Sequence, residues 1–200
     1  MNQKSIAFLD FDGTIVKGDS LLKFTRFAAG NGKFLAGVVV LSPILLAYKL
    51  KLIPNYKAKQ KVLSWFLKGI QKDEFYRIAN EYSLKHIGKI VRSSAMEKIQ
   101  WHKERGHAVV VVSASLECYL KPWCDENELE LIATKLEVTD IVTGNLLGRN
   151  CYGIEKANRI KEKYELSKYE YIYAYGDSRG DKEMLEVANE KYYRLFEDSF

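Results

Sequence analysis

Residues 6–14 read Ile-Ala-Phe-Leu-Asp-Phe-Asp-Gly-Thr. The first four are apolar and end abruptly at Asp10, a pattern that predicts a short buried strand followed by a polar loop. Open α/β sheets place their functional residues at the carboxyl ends of such strands. Asp10 and Asp12 are therefore the first candidates for a functional role.

Two later segments repeat this pattern. Residues 108–112 are apolar and lead into Ser113, and residues 171–175 are apolar and aromatic and lead into Asp177. Because a helical pattern follows each of them, we predict an α/β fold with a doubly wound parallel sheet. The carboxyl ends of parallel strands share one edge of a sheet. The side chains expected to meet there are Asp10, Asp12, Ser113 and Asp177.

A long, mostly helical stretch separates the first two predicted strands. The segments with apolar residues every three or four positions are 20–29, 57–70, 73–86 and 90–105, and the breaks between them fall at 30–32, 54–55 and 88. This stretch is too long for a simple crossover connection. We interpret residues 17–96 as a helical cap inserted into a core formed by residues 1–16 and 97–200.

Four motifs, taken in order, resemble those of the haloacid dehalogenase superfamily. They are Asp-x-Asp-Gly-Thr at 10–14, Ser113, Lys156, and Gly-Asp-Ser-x-x-Asp at 176–181. The resemblance runs from residue 6 to about residue 190. The insertion is similar to the C1-type helical cap of phosphoserine phosphatases and of the phosphatidylglycerophosphatase C group.

The resemblance implies a Mg²⁺-dependent phosphomonoester hydrolase that works through an aspartyl-phosphate. Asp10 would be the nucleophile, and Asp12 would protonate the leaving alcohol and then activate water. The implied Mg²⁺ ligands are the Asp10 carboxylate, the backbone carbonyl of Asp12, and Asp177. The implied phosphate-binding residues are Thr14, Ser113, Ala114 and Lys156. Asp181 would act indirectly, by orienting metal-bound water or by holding Lys156.

Two positions bear on a phosphoserine substrate. Gly180 stands where the phosphoserine branch commonly has Asn, so a polar contact is lost there. Asp19 stands where that branch holds an acidic residue for the substrate amino group, but we favour its other role, as the cap of the helix that begins at Ser20.

The predicted cap is strongly basic. Residues 20–72 contain ten Lys and Arg and no Asp or Glu, although the whole chain has a net charge of only +5. Such asymmetry indicates an anionic partner. Residues 34–48 are apolar apart from Ser42 and are flanked by Lys33 and Lys49. Two interpretations remain open: a buried helix broken at Pro43, or an apolar surface that rests on an anionic membrane.

Other features narrow the function classes. The N-terminus reaches acidic residues before any apolar stretch of signal-peptide length, and the three scattered cysteines fit a reducing compartment. We therefore expect a cytoplasmic protein, with peripheral contact to the inner membrane face under the membrane interpretation.

A nucleic-acid partner is not expected. The alternatives are a phosphoserine or other small-metabolite phosphatase and, from another class, a phospho-accepting signalling module.

Overall fold

A computed structural model describes residues 5–196. The strands are β1 (Ser5–Leu9), β2 (Ala108–Leu116), β3 (Glu130–Val138), β4 (Val142–Leu147), β5 (Tyr171–Gly176) and β6 (Glu190–Tyr193). The helices are α1 (Ser20–Lys49), α2 (Asn55–Leu67), α3 (Lys72–His86), α4 (Ser93–Glu104), α5 (Glu117–Glu126), α6 (Ile154–Lys163) and α7 (Lys182–Glu186). Residues 1–4 and 197–200, the ends of the predicted core, lie outside the described range.

The strands form one sheet in the order β4-β3-β2-β1-β5-β6. β1 pairs in parallel with both β2 and β5, and β4 is an antiparallel edge strand. The chain places β2, β3 and β4 on one side of β1 and then β5 and β6 on the other side, so the strand order reverses at β1. The crevice at such a switch point is where open α/β sheets bind ligands. The predicted α/β fold is confirmed, and its candidate site lies at the end of β1.

The sheet is covered on both faces. Ala7 and Leu9 of β1 pack in one apolar cluster with α4, α5 and the insertion, whereas Ile6 and Phe8 pack in a second cluster with α6 and α7. Successive side chains of a strand point to opposite faces. A strand buried on both faces therefore has a continuous apolar sequence, as residues 6–9 do.

β2 is irregular where it reaches the candidate site. Its regular pairing with β3 runs to Ser113, and the register then shifts so that Leu116 is the next paired residue. A β-bulge inserts unpaired residues and redirects their side chains and carbonyls. Here the inserted residues are Ala114 and Ser115, which both line a pocket at this end of the sheet.

Helix α1 differs from the prediction for its second half. The expected break at 30–32 is a kink at Gly30, which has a φ of 76°, and the helix then continues to Lys49. Pro43 does not break it. Because proline has no N–H to offer the carbonyl of Val39, that carbonyl accepts the hydroxyl of Ser42 instead, at 2.7 Å. Most of residues 35–46 are exposed, so the interpretation as a buried, broken helix is wrong.

Helices α1 and α2 pack closely at a glycine. A Cβ atom at Gly37 would lie 2.4 Å from Cζ of Phe66 and 2.6 Å from Nε1 of Trp65. Such distances are far below normal contact, so any side chain at position 37 would have to displace the rings of Phe66 and Trp65. Gly32, five residues earlier in α1, has open space around its Cβ position.

We expect Gly37→Ala to lower the free energy of unfolding by about 1–3 kcal/mol, because overpacking displaces the Phe66 ring. Gly32→Ala is the matched control and should be neutral or stabilising by up to about 1 kcal/mol, since alanine favours helix. Urea unfolding of both variants measures this. Equal stability of Gly37→Ala and the parent chain would contradict the close packing.

Candidate active site

The carboxylates of Asp10 and Asp12 point to different partners. Asp10 is buried at the end of β1, and its carboxylate faces Lys156. The Asp12 carboxylate accepts the backbone N–H of Ser20 at 2.6 Å and the hydroxyl of Ser115. The N–H of Ser20 belongs to the first turn of α1, where the helix dipole favours negative charge. The two acidic groups are therefore held by separate partners.

Lys156 joins two carboxylates in the interior. It lies in the first turn of α6 and is only 1% exposed. Its ammonium donates to Oδ1 of Asp10 and, at 2.6 Å, to Oδ1 of Asp181. Burial alone would lower the pKa of Lys156, but the two carboxylates outweigh burial and raise the pKa. Lys156 is thus a buried cation at the candidate phosphate site.

Asp181 also organises the loop after β5. Its Oδ2 accepts the N–H and the hydroxyl of Ser178, at 3.0 Å and 2.8 Å. Burial acts to raise the pKa of Asp181, yet Lys156 and the bonds from Ser178 lower it overall. Gly180 in this loop leaves no room for a side chain, because a Cβ there would lie 2.4 Å from the ring of Tyr152. The ring of Tyr152 therefore occupies the space that the Asn of the phosphoserine branch would need.

The residues present fit a magnesium ion. Carboxylate oxygens of Asp10, Asp177 and Asp181 lie within 4.8 Å of one another. Mg²⁺ prefers such oxygen ligands. The side chain of Asp12 points instead to Ser20 and Ser115, which leaves its backbone carbonyl for the metal role implied by the resemblance.

Of the remaining predicted residues, Thr14 contacts Asp10, Ser113 lies inside the β2 bulge, and Asp19 caps α1. Thr14 donates its hydroxyl to Oδ2 of Asp10 at 3.5 Å. The buried hydroxyl of Ser113 accepts the N–H of Ser115 at 3.0 Å, inside the β2 bulge. Asp19 caps α1, since its Oδ1 accepts the N–H of Leu22 at 2.8 Å. It also lines the pocket, so capping and substrate contact are compatible.

Burial raises the pKa of the two carboxyls of the first motif, Asp10 and Asp12. For Asp10 burial raises the pKa to about 8 against the opposing effect of Lys156. For Asp12 burial and the nearby charge of Asp19 raise the pKa, and the hydrogen bonds from Ser115 and Ser20 oppose the rise. A proton donor near neutral pH needs a raised pKa of the kind that Asp12 has.

A pocket of about 420 Å³ leads outward from these residues. Its floor is polar and includes Asp10, Asp12 and Lys156. Its wall is mostly apolar and is formed by α1 and α2. The wall residues include Phe34, Leu41, Leu45, Val62 and Phe66. The pocket therefore offers a charged end for a phosphate group and an apolar path beside it.

The structure adds residues that the motifs do not identify. Ser115 holds Asp12, and Lys59 of α2 reaches across the pocket to Asn150 at 2.9 Å and to the carbonyl of Ala114. Ser115 follows the motif residue Ser113 by two positions, which is the only sequence signal for it. Lys59 is one of ten basic residues in segment 20–72, so nothing in the sequence distinguishes it from the others.

The chain matches the family described as haloacid dehalogenase-like hydrolase over residues 7–186. The chain belongs to this family. The match covers all four motifs and the helical insertion α1–α3, so the predicted family is confirmed. Hydrolysis is therefore favoured over the alternative of a phospho-accepting signalling module.

Relatives of this haloacid dehalogenase-like hydrolase include phosphatases. Protein CicA of Caulobacter vibrioides is 32% identical over 194 residues, which cover 96% of this chain and 86% of CicA. A probable phosphatase of Mycobacterium tuberculosis is 29% identical over 190 residues, covering 92% of this chain and 66% of that protein. A solved structure described as a phospho-aspartyl intermediate analogue of phosphoserine phosphatase has a TM-score of 0.69 at 21% identity, covering 94% of this chain and 85% of its own. The hydrolase is a phosphatase, as predicted.

Gly13 lies so close to Asp177 that a substitution there can test the proposed metal site. Gly13 has a φ of 81°, and a Cβ there would lie 2.1 Å from Oδ2 of Asp177. Gly18 has a φ of 78°, but its nearest neighbour, Nζ of Lys23, is 3.8 Å away. Alanine would strain the backbone equally at both positions, but only at position 13 would it displace a carboxylate.

We expect Gly13→Ala to raise the Mg²⁺ concentration needed for half-maximal activity by about tenfold or more, because misplacing a ligand or its support commonly has that effect. Gly18→Ala should leave it within about twofold. A magnesium titration of aryl phosphate hydrolysis measures both. If Gly18→Ala shifts the titration as far as Gly13→Ala, backbone strain rather than Asp177 accounts for the effect.

Proposed function

We propose that this phosphatase is a Mg²⁺-dependent phosphomonoester hydrolase that forms an aspartyl-phosphate on Asp10. The observation that carries the proposal is the arrangement of Asp10, Lys156 and the acidic pair Asp177 and Asp181 at the carboxyl ends of β1 and β5. It combines a nucleophile, a buried cation and a metal-compatible acidic cluster. Phosphoryl transfer depends mainly on such positioning and charge neutralisation.

The reaction takes two steps. A carboxylate oxygen of Asp10 attacks phosphorus, the bond to the alcohol oxygen breaks, and Asp12 gives its proton to that oxygen. Asp12, now a base, takes a proton from the water that attacks phosphorus, and the bond to Asp10 breaks to release inorganic phosphate. Lys156, Thr14 and Ser113 are proposed to bind or orient around the phosphate. When bound, Mg²⁺ neutralises the phosphate oxygens.

Two substitutions distinguish the proposed roles. Asp10→Asn should abolish hydrolysis of 4-nitrophenyl phosphate. Asp12→Asn should retain Mg²⁺ binding and release about one equivalent of nitrophenolate rapidly, because this leaving group needs no proton, before turnover slows by about 10²–10⁴-fold. Stopped-flow absorbance and mass spectrometry of the trapped phospho-enzyme measure both. Full steady activity of Asp12→Asn would refute its role.

The pocket favours an amphiphilic substrate. The apolar wall from α1 and α2 begins beside the polar floor, so a phosphate at Asp10 has apolar surface next to it. A phosphorylated anionic lipid such as phosphatidylglycerophosphate suits this arrangement better than phosphoserine, which is polar throughout. Phosphoserine remains the second candidate, because Asp19 lines the same pocket.

The outer surface of α1 gives a second argument for a lipid substrate. Outside the pocket lining, the exposed apolar residues of α1 are Leu35, Val39, Val40 and Leu46, and Leu50 and Leu52 follow directly after the helix. Val39 is 72% exposed and Leu52 is 73% exposed. Lys49 and Lys51 stand exposed beside the end of this apolar surface. Apolar side chains with adjacent lysines are typical of helices that lie on anionic membranes.

α1 is long and apolar enough by length and composition to cross a membrane. Its first turn, however, binds Asp12 through Ser20, and Phe24 and Leu41 pack in the core. A spanning position would remove these contacts from the site. We therefore propose that α1 rests on an anionic bilayer while its inner side stays in the protein.

Leu46→Glu should weaken binding to vesicles containing phosphatidylglycerol about tenfold, because burial of one leucine contributes about 1.5–3 kcal/mol. Leu46 is 56% exposed. Leu84→Glu on α3 is the matched control, at 50% exposure, and should bind normally. Co-sedimentation at low salt measures both, with phosphatidylcholine vesicles for comparison. No binding of the parent chain to anionic vesicles would end the membrane proposal.

A further inference from the structure

Lys59 is a cation that the catalytic motifs leave unexplained. It lies on α2, and among the basic residues of the described segment 20–72 it alone lines the catalytic pocket. The other pocket cation is Lys156, which already has two carboxylate partners. Among the basic residues of segment 20–72, Lys59 is thus the one that faces the proposed catalytic residues.

The partners of Lys59 carry no charge. Its ammonium donates to the backbone carbonyl of Ala114 and, at 2.9 Å, to the side-chain oxygen of Asn150. An ammonium has three N–H donors, so one remains after these two bonds. Burial lowers the pKa of Lys59 to about 8, against the opposing effect of Asp12 and Asp19. A cation in such surroundings would be stabilised by an anion.

The position of Lys59 indicates which part of a substrate it would meet. Ala114 and Ser115 are neighbours in the β2 bulge, and Ser115 holds the Asp12 carboxylate. If Asp12 protonates the leaving alcohol, Lys59 lies on the leaving-group side of the phosphate. It is therefore placed to bind a group of the substrate that is not transferred.

A hydrogen-bond network fixes the acceptor of Lys59. Oδ1 of Asn150 also accepts the hydroxyl of Thr134 at 2.9 Å, and its amide donates to Asn55 at 2.6 Å. Asn55 in turn donates to the hydroxyl of Tyr48 at 3.0 Å. The network runs from β3 through the loop before α6 to α2 and α1. Because both sides of the pocket are tied together here, Lys59 has a defined position.

We propose that Lys59 binds a second anionic group of the substrate, one carried by the leaving alcohol. This inference rests on the proposed phosphomonoesterase function and names the substrate class more closely. The chemistry required is a phosphomonoester with a nearby phosphodiester or carboxylate. The first would come from a lipid and the second from an amino or hydroxy acid.

The test compares substrates with and without the second group. 4-Nitrophenyl phosphate has none, O-phosphoserine has a carboxylate, and a short-chain soluble lipid with a phosphomonoester and a phosphodiester supplies the other. Lys59→Gln should raise KM about tenfold or more for whichever doubly anionic substrate the enzyme prefers, because a charge-assisted hydrogen bond is lost. The rise of KM for 4-nitrophenyl phosphate should be several-fold smaller, and Lys59→Arg should recover most of the loss.

Matched controls are Lys57→Gln and Lys61→Gln, which remove the same charge from exposed positions of the same helix. Both should leave all KM values nearly unchanged. A second readout is independent of turnover: a glycerol phosphodiester without a phosphomonoester should raise the melting temperature of the parent chain but not that of Lys59→Gln.

Three outcomes would overturn the inference. They are an equal rise of KM for all three substrates in Lys59→Gln, an effect of the same size in the two controls, and no change for the doubly anionic substrates. If the parent chain fails to hydrolyse even 4-nitrophenyl phosphate with Mg²⁺, the proposed function itself fails, which is a separate result. The phosphoserine and lipid arms distinguish the two sources of the anion.

Discussion

The site depends on the ammonium of Lys156, which is buried between the carboxylates of Asp10 and Asp181. Charges are costly to remove from water, and a buried charge persists where partners compensate it. Each of these three residues would be left uncompensated without the others. They come from the end of β1, the start of α6 and the loop after β5. The electrostatic requirement therefore fixes the relative positions of three distant parts of the chain.

The helical insertion contributes directly to this candidate site. The first N–H of α1 holds the Asp12 carboxylate, and further along the same helix Leu41 and Leu45 form the pocket wall. A change in the position of α1 would therefore alter both the proposed proton donor and the surface that meets the substrate.

The sequence predicts the site better than it predicts the sheet. Asp10 and Asp177 are recognisable because each follows a buried strand, whose apolar run is a strong signal. β3, β4 and β6 escape prediction because β3 carries charged residues among its apolar ones, β4 contains a glycine and lies at an edge, and β6 has only four residues. Pro43 misleads because the hydroxyl of Ser42 compensates for its missing N–H. Lys59 has no local signal, since only tertiary contacts distinguish it from the other lysines.

The exposed apolar face of α1 raises the question of what covers it. Large exposed apolar patches usually mark interaction sites. Pairing with a second copy would apply the same patch to itself about a two-fold axis. The lysines of the insertion would then be brought close to their own copies, with no acidic residue in segment 20–72 to balance them. An anionic bilayer meets both requirements, because it accepts the apolar side chains and attracts the charges around them. Electrostatics therefore favours a membrane over self-association as the partner of this face.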